Sequence, residues 1–160
     1  LQKSKTNNGE SIVIDADLIK VYLAAKYIVV IKEQEHRLQL GAPSTEIDTL
    51  LANENIDDAY FITPENPFSL QLNDEENKLR HIRFLITLDA DDNIYFTGYG
   101  TDEHEKWGRE RSYLILNADK KAMHQRAASF DQNGLLKYSL GLGAELLLMK
   151  STSYDSAPLY

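Results

Sequence analysis

Hydrophobic positions change their period several times along the 160-residue chain, and each change predicts an element. Leu18, Val21, Tyr22 and Ala25 recur at the spacing of one helix face, and Asp15 or Asp17 can accept from the free N–H groups at its start. Residues 27–31 are β-branched and bounded by charge, which predicts a strand. Residues 36–40 alternate around Leu38 and Leu40 and can pair with it as a hairpin. Gly41, Pro43 and Ser44 break the chain. Ile47, Leu50 and Leu51 then predict a short second helix, and Thr45 with Asp48 resembles a capping box with Asp in place of Glu.

Residues 59–63 read as a strand that stops at Pro64, and Pro64 and Pro67 hold the next segment extended. Asn73 or Asp74 can cap a long third helix running to about Leu88. Acids Asp74, Glu75 and Glu76 fill its first turn, where the helix dipole favours them. Leu79 and Ile86 mark its main apolar stripe, with Arg83 between them. Residues 89–93 form a turn, 94–99 a strand ending at Gly98 and Gly100, 101–108 a charged loop with the only tryptophan, Trp107, and 110–116 a strand. Asp119 can cap a fourth helix that places Met123, Ala127 and Phe130 on one face and ends at Asn133 and Gly134. Residues 135–140 and 145–149 form a closing hairpin around Gly141 and Gly143. Interleaved helices and hairpins predict one α/β (α+β) domain over 15–150, a single mixed β-sheet with helices packed against it. Residues 1–14 are expected as a loose arm and 151–160 as a polar tail.

Charge narrows the function classes. The chain has 17 basic and 25 acidic residues, a formal net charge of −8 and a sequence pI near 5.0. Its densest basic stretches, Lys78, Arg80, His81, Arg83 and Lys106, Arg109, Arg111, are interleaved with carboxylates. No stripe to release counterions from a nucleic acid is expected. No apolar run approaches the roughly 20 residues of a membrane span, and the polar N-terminus lacks the apolar region of a signal peptide. The expected partners therefore include a small-molecule ligand but no nucleic acid and no membrane. With no cysteines, thiolate chemistry and cysteine-based metal sites are excluded, and a cytoplasmic location is expected.

Motif spacing argues against several common chemistries. Asp89-x-Asp91-x-Asn93 opens like a calcium loop, but Ile94 and Gly100 stand where the turn glycine and the bidentate glutamate are required. Gly141-x-Gly143 lacks the third glycine of a dinucleotide-binding turn. His36, His81, His104 and His124 are scattered without metal-ligand spacing, and no phosphate loop or nucleophile elbow occurs. No cofactor and no metal is expected.

A set of polar residues at element ends remains. Thr63 and Asn66 follow one strand. Asn77 and Arg80 are neighbours at i, i+3 on the third helix. Glu110 and Ser112 point to one face of a strand that Leu114 and Leu116 continue into the core, and a carboxylate at the end of a core face needs partners. Gln132 follows the fourth helix. Ligands in α/β folds collect outside strand ends, so Thr63, Asn66, Asn77, Arg80, Glu110, Ser112 and Gln132 are expected to converge.

Residues 59–67 (Ala-Tyr-Phe-Ile-Thr-Pro-Glu-Asn-Pro), Asn77-x-x-Arg80, residues 107–112 (Trp-Gly-Arg-Glu-Arg-Ser) and residues 130–133 (Phe-Asp-Gln-Asn) resemble, in order, the motifs of the bacterial "domain of unknown function 3293" family. The resemblance spans about Leu18 to Met149. The family often has alanine and an aromatic residue where this chain has Pro64 and Glu65, a proline at Arg111 and a glycine at Asp131. The resemblance implies a small bacterial cytosolic protein and no particular reaction.

Two functions fit these residues. One is a non-catalytic ligand-binding or regulatory module, since no nucleophile–base pair, metal set or phosphate loop is legible. The other is a small enzyme acting on a polar or anionic metabolite or nucleotide, with Glu110 as acid or base, Arg80 as anion clamp, and Asn66, Asn77 and Gln132 as orienting amides.

Overall fold

The computed structural model describes residues 3–5, 12–14, 16–106 and 108–149. Asp15, Trp107, the expected tail 151–160 and the rest of the expected arm lie outside the described residues. Within that arm, strands β1 (Lys3–Lys5) and β2 (Ile12–Ile14) pair antiparallel. The chain continues through α1 (Ala16–Ala24), β3 (Lys26–Ile31), β4 (Gln34–Arg37), α2 (Thr45–Asn53) and β5 (Asp58–Ile62). A 3-10 turn (Pro67–Ser69) follows, then α3 (Asp74–Ala90), β6 (Tyr95–Thr101), β7 (Glu110–Ile115), α4 (Lys120–Ser129), β8 (Gly134–Ser139) and β9 (Gly143–Leu148).

Strands β3 to β9 form one sheet in the order β4-β3-β6-β7-β5-β8-β9, and every strand pairing in it is antiparallel. The four strands expected near 27, 59, 94 and 110 all lie in it, and helices pack on it as an α+β fold. The sheet curls until its two ends meet. Gly41 N–H donates to Ala144 O at 2.9 Å, and Ala144 N–H donates to Gln39 O at 3.0 Å. Gly143 permits this closure: its φ is +93°, and a Cβ there would lie 2.3 Å from the Ala42 carbonyl oxygen. Gly98 is similarly constrained, since a Cβ would lie 2.0 Å from Ile28 O across the β3–β6 ladder.

Each face of the curled sheet buries its own core. Phe61, Leu114, Leu136 and Tyr138 pack with Ile47 and Leu51 of α2 on one face. Tyr60, Ile62, Tyr113 and Ile115 pack on the other with Phe84 and Leu88 of α3 and Met123 and Ala127 of α4. The split follows strand alternation, since Leu114 and Tyr113 point to opposite sides.

Three local expectations are corrected. Ser44, not Thr45, caps α2, its Oγ accepting from Ile47 N–H at 3.4 Å. Asp48 is engaged elsewhere, by the Tyr138 hydroxyl at 2.8 Å and Gly141 N–H at 3.1 Å. Helix α4 ends at Phe130 rather than at Asn133 and Gly134. Asp131 takes the left-handed conformation (φ +55°) at the position where the family has glycine, and Gly134 opens β8. The third concerns α3. Leu79 and Ile86 are 63% and 62% exposed, and the buried face is Asn77, His81, Phe84 and Leu88. Asn77 and His81 find hydrogen-bond partners inside the fold, so polar residues take the positions that periodicity assigned to leucine and isoleucine.

Candidate functional site

A cavity of about 300 Å³ opens between α1, the 66–71 segment and the β5, β6, β7 and β8 strands. Thr63, Asn66, Glu110, Ser112 and Gln132 line it. Asn77 and Arg80 do not; both stand behind its wall.

Asn66 sits where the chain leaves β5 and turns toward α3. It holds a left-handed conformation, φ +51° and ψ +68°, which asparagine tolerates better than most residues. Its amide is fixed by three bonds. Oδ1 accepts from Leu72 N–H at 2.9 Å and from Asn77 Nδ2 at 3.0 Å, and Nδ2 donates to Glu110 Oε2 at 2.6 Å. Asn77 Oδ1 accepts from the Asn66 backbone N–H at 3.0 Å, so the two asparagines clasp each other. Three further lining side chains are also engaged. Thr63 Oγ1 donates to Arg111 O at 2.7 Å, Ser112 Oγ to Glu110 O at 3.0 Å, and Gln132 Nε2 to Glu65 O at 2.9 Å.

The Glu110 carboxylate has, among the described residues, a neutral partner only, Asn66 Nδ2. Among the described residues no lysine, arginine or histidine lies within ion-pair distance of it. Burial raises its carboxyl above the ordinary glutamate value; the Asn66 hydrogen bond opposes this and the nearby Glu65 charge adds to it.

Arg80 turns away from Glu110. Its Nε donates to Pro64 O at 2.6 Å and its Nη2 to Phe130 O, with the guanidinium 5.8 Å from the Phe130 ring centroid. It ties the end of β5 to the end of α4.

Sequence reasoning missed the network beneath this wall. Glu65, 7% exposed, accepts at Oε2 from His81 Nε2 at 2.7 Å and from Arg111 N–H at 2.8 Å. With the ring proton on Nε2, His81 Nδ1 accepts from the Tyr113 hydroxyl at 2.8 Å. None of the three side chains lines the cavity. The 4-3-4 spacing of Asn77, His81, Phe84 and Leu88 was the available signal for this face. Tyr22, Tyr27 and Phe61, which do line the cavity, were read only as helix-face and strand residues. Among the described residues no three His, Asp or Glu side chains converge to hold a metal ion.

The segment that builds this wall, from the end of β5 through α3 and β7 to the start of β8, is also the one that matches a known family. Residues 62–135 match the model of the family described as "Protein of unknown function (DUF3293)". The resemblance carried by the four motifs is thereby shown. No curated protein and no solved structure matches the chain. The DUF3293 segment contains all seven of the expected site residues, and its asparagine and glutamate motifs meet in the Asn66–Asn77–Glu110 contacts. Where DUF3293 sequences often carry an aromatic residue, Glu65 here is buried against His81. Among the described residues no helix is long and apolar enough to cross a membrane.

Proposed function

We propose that the chain is a non-catalytic small-molecule-binding module of the bacterial cytoplasm, with its site in the cavity bounded by Asn66 and Glu110. The observation that carries this reading is the pre-formed cavity itself. Its polar side chains are mostly engaged in holding the wall, and its remaining lining is largely apolar and aromatic, the usual make-up of a small-molecule site. The triad-like Glu65, His81 and Tyr113 are turned away from it, so that network presents no nucleophile–base pair to the cavity.

The enzyme reading keeps one supporting observation. A glutamate whose carboxyl is raised by burial is suited to general acid or base work. The arginine assigned to clamp an anion is engaged by two backbone carbonyls behind the wall, which removes the support for an anionic substrate.

A thermal-shift screen against metabolites of all charge types tests the module reading. A ligand at a hundred times its dissociation constant stabilises by about 2.7 kcal/mol. Gly100→Val would fill the cavity beside Tyr27, where a Cβ meets the ring at 3.6 Å. The expected result is a stabilising compound whose effect Gly100→Val abolishes, recovered unchanged after incubation. Conversion of that compound to a product would decide for the enzyme.

A further inference from the structure

We infer that the cavity takes a small organic cation, a protonated amine carried on an apolar body. The inference rests on the binding-module reading and narrows its ligand.

Charge is the first argument. Glu110 brings a carboxylate to the wall, and among the described residues no basic side chain lines the cavity. The one donor it has among the described residues, Asn66 Nδ2, is neutral. Asn66 cannot turn its oxygen toward Glu110 without abandoning Leu72 N–H and Asn77 Nδ2. Oε1 of Glu110 has no hydrogen-bond partner among the described residues. A carboxylate held in apolar surroundings without a counter-charge is costly, and a ligand ammonium would relieve that cost with a charge-assisted hydrogen bond. The second carboxylate of the lining, Asp102, adds to the negative potential while its Oδ2 accepts from the backbone N–H groups of His104 and Lys106. An anion entering here would meet two like charges.

The rest of the wall suits the same ligand. Tyr22, Tyr27 and Phe61 contribute aromatic rings, the side chains that best stabilise a desolvated cation. Both tyrosines lie close enough to feel the Glu110 charge. Val21, Leu136 and Leu146 offer apolar surface for the ligand's body.

The test compares three probes that carry one phenethyl body: phenethylammonium, the neutral 2-phenylethanol and the anionic 3-phenylpropanoate. Each is titrated into the full chain by calorimetry, with backbone chemical shifts locating the site. Phenethylammonium should bind at least tenfold more tightly than the alcohol, with the shifts centred on Tyr22, Gly100 and Leu136, and the propanoate should not bind. Glu110→Gln should lose that tenfold preference while alcohol affinity is kept. If this variant does not fold, acidification of the wild-type protein serves instead: protonating Glu110 should weaken the ammonium and leave the alcohol unchanged. Equal or tighter binding of the alcohol or the propanoate at the cavity, or a preference that survives loss of the Glu110 charge, overturns the cation assignment and leaves the module standing. Failure of all three to bind at the cavity overturns both.

Discussion

Asn66 and Glu110, 44 residues apart in the chain, meet at 2.6 Å, and the contact joins a neutral amide to a carboxylate that has no cation beside it among the described residues. The amide is committed on its other side to Leu72 and Asn77, so one asparagine joins the end of β5, the approach to α3 and the first residue of β7. Its left-handed backbone is part of the same arrangement.

Asn66→Ala should therefore destabilise the chain by about 3 kcal/mol, from three lost hydrogen bonds at roughly 0.7 kcal/mol each and a left-handed penalty of about 1 kcal/mol. Asn66→Gly removes the same side-chain bonds but suits the backbone, and should cost about 1 kcal/mol less. Urea denaturation of both variants checks this. Equal stability of the two would show that the backbone conformation contributes nothing.

Glu110 gives a pH signature whose sign follows from its raised carboxyl. In the window between the ordinary glutamate value and its folded value, the folded state binds the proton that the unfolded state has released. Stability from this group is thus fully present below the ordinary value and is lost as pH rises through the folded value. Glu110→Gln keeps an acceptor for Asn66 and carries no charge. Wild type should lose stability relative to it as pH rises through that window, in melts taken at matched pH. A difference constant with pH would contradict the burial argument.

Arg80 should prove structural. Arg80→Ala leaves the Pro64 carbonyl without its donor and the Phe130 carbonyl with Gln132 Nε2 alone, at 3.2 Å, and should cost about 1.5 kcal/mol. Binding of any ligand found for the cavity should survive, measured by titration under conditions where the variant is folded. A large loss of affinity in a folded Arg80→Ala protein would return the arginine to the site.

Glu65→Ala should be the most damaging of these changes, at about 3 kcal/mol or more, because it strands His81 Nε2 and the Arg111 N–H. Glu65→Gln can keep an acceptor there and should cost less than half as much. Denaturant midpoints of the two variants, compared in one buffer, decide the matter.

The sequence by itself determined the elements and some of their ends. The four strands near 27, 59, 94 and 110 show in the residue pattern of each segment, and the caps Asn73 and Asp119 and the closing hairpin rest on interactions between residues near in sequence, where periodicity and side-chain chemistry act directly. The same local logic made Thr63, Asn66, Glu110, Ser112 and Gln132 visible, because they stand at the ends of those elements. What only the tertiary structure decided involves partners distant in sequence. Ala42 against Gly143 closes the curled sheet. Glu65 and Tyr113 draw His81 inward, and Asn66 draws in Asn77, so α3 presents a polar-bearing face to the core and leaves Leu79 and Ile86 outside. Two carbonyls hold Arg80 away from Glu110. Apolar periodicity records the preference of each side chain for water or oil. A buried polar group obeys the position and direction of its hydrogen-bond partner, which exists only once the chain has folded.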